Sequence, residues 1–206
     1  MHESGRPAEL AAPEAPAAPP RRRFSGAEWD RLVREGFFRP EERLELIDGE
    51  VRVISPIGDP HATFVQTLAN ALRRAYGASH SVREEKPLEV GEDRLYPDVV
   101  VVPGPPWAHL ERSPSPRQAP LLCEVSDSTL GYDLGEKAAI YAAGGAREYW
   151  VLDIQAAELV IHRDPRRRRK LGQLATWGAV VRLARGRVRA PGAARTVAVR
   201  EVLRRP

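Results

Sequence analysis

The chain has 206 residues, 42% of them hydrophobic and 29% charged, with a net charge of +4 and a pI near 9.6. That is the make-up of one globular domain with a sizeable core; the single cysteine, Cys123, excludes a disulfide framework and a cysteine-rich zinc site, and no apolar run reaches the length of a membrane span. With no apolar leader the expected location is the cytoplasm, and the mild basicity fits either a polyanionic partner or a merely arginine-rich composition.

Residues 1–23 are rich in Pro, Ala and Glu, end in Arg21-Arg22-Arg23 and lack periodicity, so they are expected to form a disordered tail before a single domain over 24–206. That domain opens with a helix: Ser25 and Glu28 have the spacing of a capping box, and Gly36 is its stop. Alternating apolar residues on either side of Asp48-Gly49 predict a hairpin over 43–54, closed by Pro56 and Pro60. Phe64, Val65, Leu68, Ala71, Leu72 and Ala75 recur at helical spacing, which predicts a helix over 61–76. Strands are expected over 80–90, 95–102 and 119–126, the last two separated by a proline-rich loop. A helix over 134–143 ends at Gly144-Gly145, strands follow at 147–153 and 157–163, and weaker strand signals lie at 171–176, 179–183 and 196–203. The fold class is α/β, a mixed central sheet flanked by helices.

The chemistry concentrates between residues 97 and 137. Asp98 begins a valine strand and Glu124 lies near the end of the next. If the two pair antiparallel, their carboxylates converge at one sheet edge. Leu122, Glu124 and Ser126 share one face of their strand, Cys123 and Val125 the other. A carboxylate in so apolar a strand is costly unless a cation or hydrogen bonds accept it. Asp133 and Glu136 read as a second capping box, which puts Lys137 in the first helical turn, where the helix dipole does not favour a cation. Lysine is scarce: only Lys86, Lys137 and Lys170 occur among 32 basic residues. Two carboxylates and a lysine at one point are the parts needed to hold a hard divalent cation and activate water beside a phosphate.

Several motifs also carry a resemblance. Glu45-Leu46-Ile47-Asp48-Gly49-Glu50, His61 shortly after, Pro97-Asp98 before the valines, Glu124-Val125-Ser126, Asp133-x-x-x-Lys137 and the segment Glu148 to Asp153 resemble the Uma2 family of the PD-(D/E)XK nuclease superfamily, over residues 40–165. The resemblance implies a restriction-endonuclease-like core and a Mg²⁺- or Mn²⁺-dependent phosphodiesterase acting on DNA, with a homodimer by analogy. Asp98, Glu124 and the Val125 carbonyl would hold the metal, and Glu45 matches an additional acid of such sites. The superfamily places its lysine two residues after the second acid; that position is Ser126, so Lys137 is the expected replacement, and Ser126→Lys in a Lys137→Ala background, which restores the usual spacing, is expected to recover some activity.

Alternatives stand beside these roles. Glu45 fits equally the exposed face of an alternating strand, and His61 a helix-capping or surface residue as well as a phosphate or water contact. Tyr141 and Trp150 read as packing, Glu85 carries no role, and Arg166 to Arg169 reads as a solvated turn. The rival function is a nucleic-acid-binding module that keeps the fold without the chemistry.

Overall fold

A computed structural model describes residues 21–39, 41–54, 58–166 and 174–204. Most of the tail, residues 1–20, lies outside the described residues; of its basic end, Arg22 pairs with Glu28 and Arg23 with Asp48.

Helix α1 (Gly26–Arg34) begins as its sequence dictates. The Ser25 hydroxyl accepts from the Glu28 amide while the Glu28 carboxylate accepts from the Ser25 amide, and Gly36 takes φ +69° just beyond the end. β1 (Leu44–Ile47) and β2 (Glu50–Val53) form the expected hairpin. Asp48 and Gly49 both have positive φ, 51° and 72°, the backbone of a type I′ turn. Helix α2 (Asp59–Tyr76) starts two residues before its expected position, with Pro60 in the first turn, where its missing amide costs nothing.

The two segments expected as strands over 80–90 and 95–102 are four strands shared between two sheets. β3 (His80–Glu84) ends where Glu85 turns to φ +50°, and β4 (Leu88–Val90) resumes in the other sheet. β5 (Asp93–Leu95) pairs with β1 and β4, and Pro97 separates it from β6 (Val99–Pro103). Proline removes a ladder donor and restrains its predecessor, so the strand breaks just where Asp98 must be presented. The proline-rich loop is irregular apart from one short turn at Pro106–His109.

After β7 (Leu121–Ser126), a helical segment spans residues 130–144: α3 (Leu130–Tyr132), a wide π turn (Asp133–Lys137) and α4 (Ala138–Gly144), with Gly145 in the left-handed conformation as its stop. The expected start at 134 and the Asp133/Glu136 capping box are therefore corrected. Asp133 is inside the helix, and Lys137 closes the π turn rather than sitting in a first turn. β8 (Glu148–Asp153), β9 (Glu158–Arg166) and β10 (Thr176–Leu183) complete the main sheet. Of the basic run, 167–170 lies outside the described residues, as do 171–173 of the expected strand at 171–176. The expected strand at 196–203 is instead β12 (Val197–Ala198), paired with β11 (Arg187–Val188), followed by a single turn, α5 (Val199–Val202).

The main sheet has the order β10-β9-β8-β7-β6-β3, antiparallel except for β7 beside β8, whose connection is the helical segment 130–144. Strand alternation sends Val99, Val101, Cys123 and Val125 to one face, where α2 buries Leu68 and Leu72, and Val100, Val102 and Leu122 to the other, where Ala138, Tyr141 and the small sheet's Leu88 and Leu95 cover them. Leu68 and Leu72 are fully buried, each contributing about 2 kcal/mol of hydrophobic stabilisation. The layers, a mixed six-stranded sheet with helices on both faces, match the expected α/β class. No helix among the described residues is long and apolar enough to cross a membrane.

Candidate active site

Antiparallel pairing of β6 with β7 sets Val99 opposite Cys123, so Asp98, one residue earlier, stands beside Glu124. The Asp98 amide donates to Glu124 Oε2 at 3.3 Å, and the Val125 amide donates to Asp98 Oδ2 at 2.7 Å. His61, in the first turns of α2, puts Nε2 3.1 Å from the same Asp98 oxygen. The imidazole thus braces the carboxylate; its Nδ1 is buried with no hydrogen-bond partner among the described residues.

The helical segment crosses the Glu124 face of β7 as a ladder. Asp133, Lys137 and Tyr141, four residues apart, look toward the strand residues Ser126 and Glu124, two apart. Asp133 Oδ2 accepts from Ser126 Oγ and Thr129 Oγ1, each at 2.6 Å. Lys137 Nζ donates to Glu124 Oε1 at 3.0 Å, and the Tyr141 hydroxyl donates to the same oxygen at 2.7 Å. From the small sheet, Glu45 Oε1 lies 3.4 Å from Lys137 Nζ and accepts from the Tyr96 amide at 3.0 Å. All five expected side chains, Glu45, His61, Asp98, Glu124 and Lys137, therefore meet at one place, with Val125 beside them. Glu45 is 1% exposed, so its reading as a solvated strand residue fails.

Sequence reasoning missed two members. Tyr141 packs as expected but also serves Glu124 through its hydroxyl, and Asp133 anchors the π turn rather than capping a helix. The signal was the repeated spacing of four from Asp133 through Lys137 to Tyr141, which lines one helix side. Glu85, given no role, pairs with Arg43 at 3.0 Å.

The electrostatics are those of crowded acids. Burial pushes Asp98 up, but the His61 hydrogen bond and charge, the Val125 amide and Lys137 outweigh it and hold the carboxyl below its usual range. Burial drives Glu124 well above the carboxylate range; Lys137 opposes this, while Asp98, Asp133 and Glu45 reinforce it. Burial likewise raises Asp133, against Lys137 and its two hydroxyl donors. Burial disfavours the Lys137 ammonium, yet Glu124, Glu45, Asp133 and Asp98 prevail and keep it charged. Glu45, Asp98, Glu124 and Asp133 thus cluster with Lys137 and His61 beside a small cavity of about 90 Å³, which Arg43 also lines.

That donor set fits a hard divalent cation. The ligands at hand are oxygens, the cluster carries more acid than base, and Glu45 Oε2 is buried with no hydrogen-bond partner among the described residues. No three His, Cys, Asp or Glu side chains among the described residues form a ready-made metal cage. Mg²⁺ does not require one, since it commonly takes one or two carboxylates and keeps several waters.

The Ser126–Asp133 rung revises one expectation. A lysine at 126 would meet the Asp133 carboxylate that now holds the serine hydroxyl. In a Lys137→Ala background, Ser126→Lys is expected to recover less than about a tenth of the cleavage that the loss of one such donor removes, because the new ammonium pairs with Asp133. Adding Asp133→Asn frees it and raises the recovery. Plasmid nicking by the three variants checks this, and full recovery without the Asp133 change would overturn it.

Comparison with known proteins adds three findings. The model of the Uma2 family, described as "Putative restriction endonuclease", matches residues 28–186. A crystal structure from Anabaena variabilis, described as a "putative nuclease belonging to DUF820", is similar in fold, with a TM-score of 0.63 at 12% identity over 87% of this chain and 97% of that one. No curated protein matches the chain.

Proposed function

Since the chain belongs to the Uma2 family, its match spanning residues 28–186, we propose that it is a divalent-metal-dependent nuclease hydrolysing phosphodiester bonds in DNA. One observation carries the reading: a buried, charged lysine held 3.0 Å from Glu124 and 3.4 Å from Glu45 on the rim of the cavity that Asp98 lines. Asp98, Glu124 and the Val125 carbonyl would hold Mg²⁺ or Mn²⁺. When bound, the cation supplies Lewis acidity toward a phosphate ester and acidifies nearby water.

The remaining work falls to the side chains. Lys137 orients the attacking water and offsets negative charge as it develops on the phosphate. Glu45 and Tyr141 fix where the lysine and Glu124 stand, and His61 with the Val125 amide fixes Asp98. A compact ammonium that donates three hydrogen bonds suits this position, where it already serves two carboxylates. In the rival reading the protein binds nucleic acid without cutting it, which the serine at 126 favours.

Nicking of supercoiled plasmid separates the two. Cleavage is expected with Mn²⁺ or Mg²⁺ and is expected to stop when EDTA removes the metal. Retention of plasmid and of a single-stranded probe in a gel shift, with neither cut under either metal, would leave the binding module as the function.

A further inference from the structure

We infer that the groove beside the catalytic cavity is a binding site for a single unstacked nucleobase, which makes the substrate locally single-stranded nucleic acid rather than intact duplex. The inference rests on the nuclease reading for the position of the scissile phosphate.

The cleft around Asp98 and Glu124 is small, about 90 Å³, with room for an ion, water and phosphate oxygens but not for a whole nucleoside. The rest of the substrate must lie elsewhere. Next to it is a groove of about 460 Å³, and the two share the residues Arg43, Ile54 and Tyr96 as a common wall. A phosphate in the smaller space therefore has its neighbouring nucleoside at the mouth of the larger one. The groove is lined by Trp29, Phe38 and Tyr96, with Val33 on its rim. Trp29 is 2% exposed and holds the Phe38 ring at 4.9 Å between centroids, so Phe38 is a fixed, partly exposed aromatic surface. Arg43, paired with Glu85 at 3.0 Å, lines both spaces and so stands at their junction.

An apolar aromatic slot with a few polar groups at its edge is what stacks a base without reading its identity. A base inside a duplex is stacked and paired and reaches such a slot only by leaving the helix, which costs a few kcal/mol and costs least in single strands, flaps and frayed ends. Of the ligands a nuclease handles, the one that fits both spaces at once is a strand whose base is already free.

Fluorescence anisotropy of the full chain tests this in EDTA, so that nothing is cut. The probes are a short labelled single strand, the same strand annealed as a blunt duplex, and the strand with abasic nucleotides in place of its bases. The single strand is expected to bind about tenfold tighter than both others, the contribution of one stacked base. The abasic strand carries the same phosphates, so charge alone predicts no difference from the intact strand. Phe38→Ala is expected to remove the advantage and leave duplex and abasic affinities unchanged. If that variant does not fold, the three probes on the unaltered protein still decide. Equal binding of intact and abasic strands, or a duplex bound as tightly as the single strand, overturns the inference. Metal-dependent cleavage without single-strand preference keeps the nuclease and discards the groove; single-strand preference without cleavage does the reverse.

Discussion

Lys137→Ala is expected to lower metal-dependent cleavage by about a hundredfold or more, the usual effect of losing one donor aimed at developing charge. Metal binding survives, because the lysine is not a ligand. The change also removes the ammonium that Glu124 and Glu45 share at 3.0 and 3.4 Å, in a site where the lysine side chain is 5% exposed. Breaking a buried pair from one side costs about 3 kcal/mol, so a lower Tm accompanies the loss of activity. Lys137→Arg separates the two effects. It keeps the charge and much of the stability, but a planar guanidinium does not fit where a compact ammonium donates to two carboxylates, so cleavage stays low. Thermal melting beside plasmid nicking reads both quantities. A Lys137→Ala protein that cuts normally ends the assignment.

Asp98→Asn and Glu124→Gln are each expected to abolish cleavage and the heat of Mn²⁺ binding in isothermal titration, while the fold persists. These amides keep most of the hydrogen-bonded shape: Gln at 124 still accepts from Tyr141, and Asn at 98 still accepts from the Val125 amide. Truncation to alanine is a poorer probe. From like-charge repulsion alone, removing either acid would be expected to stabilise the metal-free protein. At Glu124 the geometry reverses that sign, because alanine strips the acceptor from both Lys137 and Tyr141 in the interior, and Glu124→Ala therefore melts at lower temperature. Wild-type cleavage by Glu124→Gln in purified protein would sink the site.

Sequence pattern made the site legible where chemistry and periodicity coincide. Glu124 stood out as a carboxylate in an apolar strand, Lys137 as a lysine where arginine prevails, and antiparallel pairing was enough to bring Asp98 beside Glu124. The hairpin at Asp48-Gly49 and the capping box at Ser25 were readable because turn and cap residues act locally. What stayed hidden depends on distant contacts. Glu45 could not be told from a solvated strand residue, since its burial comes from the Tyr96 amide and Lys137, far along the chain. Strands 80–90 and 95–102 looked continuous because alternation does not reveal that a strand leaves one sheet for another; Glu85 and Pro97 mark the breaks only in hindsight. Asp133 shows the same limit. Its spacing to Glu136 mimics a cap, while a π turn, which no short-range pattern announces, carries it inside the helix.

The ladder between β7 and the following helix also has a consequence for how the site comes together. Glu124 and Lys137 are 13 residues apart and Glu124 and Tyr141 are 17, whereas Asp98 is 26 residues from Glu124 and Glu45 is 51 from Tyr96. Closing a loop costs about 0.6 kcal/mol more for each doubling of its length. One strand, one turn and one helix therefore position the acid and its cation as a local unit, to which β6 and the small hairpin contribute across longer loops. By loop length alone the charged pair is the cheapest of these contacts to close, and that of Glu45 across 51 residues is the costliest.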